Sequence, residues 1–240
     1  MKKIIYLFLT LFFTASFSMY PEDIDTYKIE IGQFNKIRLL NNANVIYRCL
    51  PDSSGFAQFR GKKEFADAFI LTLKNNGTLR IQVSDEDLGK PDLPVLYVYS
   101  DYLTSVQNDA NMTLVVENPA PCPDFKATQV GNGSIIVENV AATKVSAILK
   151  TGNGSLTLSG NADNAYFDIV GTGMIGADRL KADNVTCKIF GTGSIGCWPV
   201  NNLSVKGIGS TKIYYKGKPA IKKSGGGKII ALPDDGDDGR

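Results

Sequence analysis

The sequence contains no histidine. That removes the commonest general base, the commonest transition-metal ligand and the usual partner of a nucleophilic serine or cysteine. Cysteine is scarce: Cys49, Cys122, Cys187 and Cys197 are the four in the chain, and their spacings fit no zinc pattern. Disulfide scaffolds are much richer in cysteine. Neither sign of charge dominates, with 26 Lys+Arg against 24 Asp+Glu. A chain this close to neutral carries no electrostatic footprint for nucleic acid. Long apolar runs are also missing after the first residues, so no second membrane span is expected.

The one apolar run stands at the start, in MKKIIYLFLTLFFTASFS. Two lysines, an apolar stretch and the small residues Ser16 and Ser18 compose a secretory signal peptide of residues 1–18. Cleavage there removes Lys2 and Lys3, which lowers Lys+Arg from 26 to 24 and leaves the mature chain balanced. The expected location is extracytoplasmic: periplasm, cell surface or secreted. The remaining chain of about 220 residues is long enough to bury one good core or two small ones.

Glycine is what the sequence does have. The stretch FDIVGTGMIG, residues 167–176, fits the G-x-G-x-x-G loop of dinucleotide-binding folds. The same pattern then recurs. Gly-x-Gly pairs begin at Gly131, Gly152, Gly171, Gly191, Gly207 and Gly225, at steps of 21, 19, 20, 16 and 18 residues. An earlier copy without glycine, ANMTLVVEN from Ala110, aligns with GNGSIIVEN from Gly131, and NNGTLRI from Asn75 has a related form. A dinucleotide fold needs a crossover helix and about 30 residues per βαβ unit, and here no helix fits. The glycines therefore belong to a repeat.

Within the repeat, side chains alternate. The fourth position after the first glycine reads Ile135, Leu156, Ile175, Ile195, Thr211 and Ile229; the sixth reads Val137, Leu158, Ala177, Cys197, Ile213 and Ala231. Period two with one apolar face is a strand signature. Both glycines fall on the apolar parity, which predicts a bend with no interior room for a side chain. Each copy of about 20 residues is then strand, Gly-x-Gly bend, strand and polar corner. One copy cannot bury its own apolar face, so the copies must stack. The predicted fold is all-β, a parallel β-helix or β-solenoid. Residues 145–150 fit the phase poorly, which predicts an irregularity there. The expected divisions are an N-terminal irregular β half over 19–107, solenoid repeats over 108–232 and an acidic tail over 233–240.

The repeated Gly-x-Gly-Ser-Ile and the late GSTKIYYKGKP, residues 209–219, make the chain similar to the head GIN domain family of bacterial auto-transporter adhesins. This is a domain of unknown function common in Bacteroidetes. FNKIRLLNNANVIY from Phe34 and LPVLYVYSDYLTSV from Leu93 agree more loosely, and the resemblance spans residues 27–232. It implies a β-helix-like, secreted or surface-exposed protein with an adhesive role. It implies no catalytic residue, metal or cofactor. Ala110 and Met112 depart from the pattern, replacing glycines in the earliest clear copy.

Candidate sites are few. Trp198, Tyr214 and Tyr215 fall at similar places in consecutive copies, beside Lys212 and Lys216. Facing outward they form an aromatic strip suited to a sugar or a protein; facing a corner they are packing. Asp163 and Asp183 hold the same place in consecutive copies, each followed by asparagine, which is also ordinary turn chemistry. Cys187 and Cys197 lie on apolar parity and read as small hydrophobes, while Cys49 and Cys122 leave a long-range bridge open. Asp234, Asp235, Asp237 and Asp238 lack the length and closing Glu of a calcium loop.

The expected function is a non-enzymatic adhesin-like protein presenting a solenoid face to an extracellular glycan or protein. One alternative is a polysaccharide lyase or hydrolase on the same scaffold, resting on Asp163, Asp178 and Asp183. Another is a purely structural envelope protein.

Overall fold

A computed structural model describes residues 24–233 of the chain. The expected signal peptide and the acidic residues 234–238 lie outside them. The described residues are all-β: one continuous 17-stranded sheet, with the short 3-10 turns Pro51–Ser53 and Lys63–Phe65 as the only helical segments among them. No helix among them is long and apolar enough to cross a membrane.

The coil around Gly171 shows how the alternation becomes a solenoid. Residues 165–170 run along a first wall, in parallel register with 145–150 on one side and 185–190 on the other. After the glycine bend, residues 174–177 run along a second wall, between the strands starting at Ser155 and Ser194. A shorter third wall follows, where Gly160 pairs with Val140 and Leu180. Inward side chains stack in columns along the axis. Ala147, Phe167, Cys187 and Val205 line the first wall, and Ile135, Leu156, Ile175, Ile195 and Ile213 the second, none more than 2% exposed. Burying an aliphatic side chain this fully contributes about 1.5–3 kcal/mol, so each coil is held by those above and below it.

The glycine bends serve geometry. Gly191 has φ +136, in the left-handed region. Two residues on, a Cβ at Gly193 would stand 2.7 Å from the Gly173 carbonyl oxygen of the preceding coil. Backbone thus packs on backbone, and the nucleotide-like motif is a stacking motif.

Three details differ from the sequence reading. Residues 145–150 pair regularly on both sides; the register shift lies instead between Val137 and Val140. The copy at Gly207 is out of frame by two residues. Gly207 pairs with Ile189, Ile213 with Ile195 and Tyr215 with Cys197, so Thr211 holds the place of a second glycine. NNGTLRI leads into Thr78–Val83, which pairs with Lys36–Leu39 on the first wall rather than following the bend onto the second.

The N-terminal half also stacks in parallel, but out of chain order. Lys36–Leu39 lies between Thr78–Val83 and Ser105–Asn108. Val45–Cys49 likewise lies between Leu96–Ser100 and Thr113–Glu117. Beyond this inserted coil the sheet turns antiparallel, as Phe69–Leu73 pairs with Thr78–Val83 and Ile24–Glu30 with Phe56–Lys62.

Candidate functional site

The third wall carries an open depression whose floor follows from small residues. Cys122, Ala142, Ala162, Ala182 and Pro199 stack in register along it. Of these, Cys122, Ala142 and Ala162 floor an open groove of about 660 Å³, and because none projects far the flanking side chains stand above them. Asp163 and Asp183 form one rim, on neighbouring coils between the paired alanines and the paired asparagines. Thr143 continues that rim on the preceding coil, and Asn161 and Lys181 line the other side.

An asparagine ladder fixes the carboxylate rim. Asn184 donates from Nδ2 to Asn164 Oδ1 at 3.3 Å, and Asn202 donates from Nδ2 to Asn184 Oδ1 at 2.8 Å. The tripeptide Ala-Asp-Asn, repeated at residues 162–164 and 182–184, therefore has three roles in order: floor, rim and ladder. Read as a corner, this repeat gives turn chemistry only; read in stacked register, it gives a groove.

Trp198 adjoins this groove through Lys181 without lining it. It pairs in register with Lys181, whose ammonium lies 5.8 Å from the indole centroid. The Lys216 ammonium lies at 5.8 Å as well. Lys216 reaches it because its backbone N–H donates to the Cys197 carbonyl at 3.0 Å and Gly217 then turns with φ +84. A half-buried indole flanked by two ammonium groups is held by cation–π attraction.

The expected aromatic strip is thus divided among surfaces. Trp198 belongs to the third wall. Tyr214 is half-buried on the outer face of the second wall, in register with Gly196 and Ile230, and Lys212 is exposed on the same face beside Ser194 and Lys228. Tyr215 points inward, in the column of Cys197, and packs against the core. The two-residue frame shift at Gly207 produces this separation. Asp178 does not line the groove that Asp163 and Asp183 share.

The four cysteines are free thiols. Cys187 and Cys197 are fully buried and lie against each other; burial first, and the Cys197 thiol second, push the Cys187 thiol well above its ordinary value. Among the described residues, no cluster of three or more His, Cys, Asp or Glu side chains could hold a metal ion.

The groove can accept hydrogen bonds at its carboxylate rim and donate them from Lys181 and Asn161, with the Trp198 indole adjoining Lys181. That combination suits a polyhydroxylated ligand.

Residues 33–219 match the family described as "Putative auto-transporter adhesin, head GIN domain". No curated protein matches. Several solved structures share the fold. A putative adhesin from Bacteroides fragilis is 21% identical with a TM-score of 0.78, covering 88% of this chain and 98% of its own. A putative lipid binding protein from Parabacteroides distasonis is 19% identical with a TM-score of 0.65, covering 88% and 97%. A putative adhesin from Parabacteroides merdae is 20% identical with a TM-score of 0.64, covering 88% and 96%.

Proposed function

The chain belongs to the head GIN domain family, and from that premise we propose that it is a non-enzymatic, adhesin-like protein that works outside the cytoplasm and binds a glycan in the third-wall groove. The observation that carries this reading is a small-residue floor with Asp163 and Asp183 on one rim and Lys181 on the other, next to the Trp198 indole over which the Lys181 ammonium lies. Carboxylates accept hydrogen bonds from sugar hydroxyls, and an indole face packs against the C–H face of a pyranose. Two carboxylates against the one ammonium of Lys181 leave the groove lining slightly negative, which disfavours an acidic sugar.

The test is a glycan array probed with residues 19–240, beside separate Trp198→Ala and Tyr214→Ala variants. The groove reading expects binding that Trp198→Ala abolishes and Tyr214→Ala leaves intact, because the two rings lie on different walls. Loss with Tyr214→Ala alone would move the site to the second wall. No binding by the unmodified chain would remove the glycan reading in favour of a protein partner or a structural role.

A second observation favours a lipid surface instead. Val170, Phe190 and Ile208 stack in register on the outer edge of three successive coils, 46%, 48% and 65% exposed. Exposed Lys150, Lys188 and Lys206 adjoin them. Apolar side chains bracketed by cations suit an anionic bilayer, and one of the related structures carries a lipid-binding name. Flotation with phosphatidylglycerol vesicles, lost in Phe190→Asp, is the outcome this second reading requires.

A further inference from the structure

A separate pocket collects charge of one sign. On the outer face of the first wall, Lys36, Arg38, Lys74 and Arg80 line a depression of about 380 Å³ together with the hydroxyl residues Thr78 and Ser105. The out-of-order coil builds it. Because Lys36–Leu39 is inserted between Thr78–Val83 and Ser105–Asn108, Arg38 stands directly opposite Arg80, and Lys36 lies between Thr78 and Ser105.

Like charges directly opposite each other on a sheet are destabilising unless compensated. Arg38 is compensated: its Nε donates to Asp109 at 2.7 Å, and Gln107 Nε2 holds the other oxygen of that carboxylate at 2.7 Å. Arg80 is not. Its Nε is shut away from solvent with no hydrogen-bond partner, and among the described residues no carboxylate pairs with Arg80, Lys36 or Lys74. That unpaired donor costs free energy, and the positive charge left uncompensated around it is what an anion bound in the pocket would offset. The fork of N–H donors on arginine matches tetrahedral oxyanions in particular.

We propose that this pocket is an oxyanion site that takes a sulfate or phosphate ester carried on a larger ligand. Arg80 supplies the central donor, Lys36 and Lys74 supply charge, and Thr78 and Ser105 supply neutral hydroxyl donors. The volume exceeds that of a lone anion and leaves room for part of the sugar or other group that bears the ester. The site is independent of the third-wall groove.

The experiment is calorimetric titration of residues 19–240 with sodium sulfate, a sulfated heparin disaccharide and glucose 6-phosphate at low ionic strength. Saturable binding of at least one probe is expected, weakened about tenfold in Arg80→Gln. Lys74→Gln, at an exposed side chain, weakens it severalfold, so that a folding defect in Arg80→Gln leaves a second reading of the site. Trp198→Ala leaves it unchanged, which separates this site from the groove. Preference for the disaccharide identifies a sulfated glycan as the source, preference for glucose 6-phosphate a phosphorylated one, and equal binding the shared oxyanion chemistry. No saturable heat with any probe, or equal binding by both charge variants and the unmodified chain, overturns the proposal.

Discussion

Gly193 packs so closely on Gly173 of the preceding coil that any Cβ at Gly193 would stand 2.7 Å from the Gly173 carbonyl oxygen. Side chains of Ile169 close the remaining space, at 3.0 and 3.2 Å from the same point. Gly193→Ala must therefore push two coils apart, and its expected cost is about 2–4 kcal/mol. Gly176 is the control. A Cβ there meets nothing nearer than 4.0 Å, so Gly176→Ala is expected to be neutral or to stabilise by up to about 1 kcal/mol through the unfolded chain. Urea unfolding followed by circular dichroism distinguishes them; equal effects would contradict the stacking role of the second glycine.

Thr211 occupies the corresponding place one coil later, 2% exposed and with its hydroxyl unpartnered. Valine has nearly the same shape without the buried hydroxyl. Thr211→Val is expected to raise stability by about 1 kcal/mol, measured as a shift of the urea midpoint at constant slope.

Burial, with the neighbouring Cys197 thiol adding to it, holds the Cys187 proton more tightly than in the unfolded chain. A group raised in this way contributes its full stabilisation below its unfolded pKa and loses it as pH rises toward the folded value. The urea midpoint is accordingly expected to be level up to about pH 8 and to fall above about 8.5. Cys187→Ala flattens the first part of that fall. Tyr47, raised mainly by burial, adds a further loss beyond about pH 10. Iodoacetamide is expected to label half-buried Cys49 in the native chain and to reach Cys187 and Cys197 only on unfolding.

Trp198 is the only tryptophan, so its fluorescence reports the surroundings of that ring beside the groove alone. With the Lys181 and Lys216 ammonium groups both 5.8 Å from the ring, iodide is expected to quench it more strongly than caesium. The difference shrinks in Lys181→Ala and at high salt, where exposed charges are screened within about 3 Å at 1 M. Equal quenching by the two ions would mean that the ammonium groups do not sit over the ring in solution.

The second wall was legible in the chain because its inward residues repeat with little insertion: Ile135, Leu156, Ile175 and Ile195 align by spacing alone, and they are the residues that stack. The alignment failed at Gly207, because the bend glycine of that coil is Gly209: Tyr214 then falls on the second wall, apart from Trp198, and Tyr215, its neighbour in the strand, faces inward. The groove was legible only in pieces. Its parts come from the corners of several coils, and a corner of Ala, Asp and Asn has the composition of any solvated turn. The oxyanion pocket left no local trace, because Arg38 and Arg80 meet only through the inserted coil.

That insertion also sets a schedule for the chain. Lys36 finds one hydrogen-bonded neighbour at Thr78 and the other at Ser105, and Val45 finds its pair at Leu96 and Leu114. A solenoid coiled in chain order can assemble residue by residue as it emerges from a pore. Here the first coil finds its neighbour on one side only at Thr78–Val83, and on the other only once the segment ending at Glu117 has followed it. Loop closure over such separations is slow compared with local pairing, so the N-terminal half has to assemble as one event, after which the later coils can add to it one at a time.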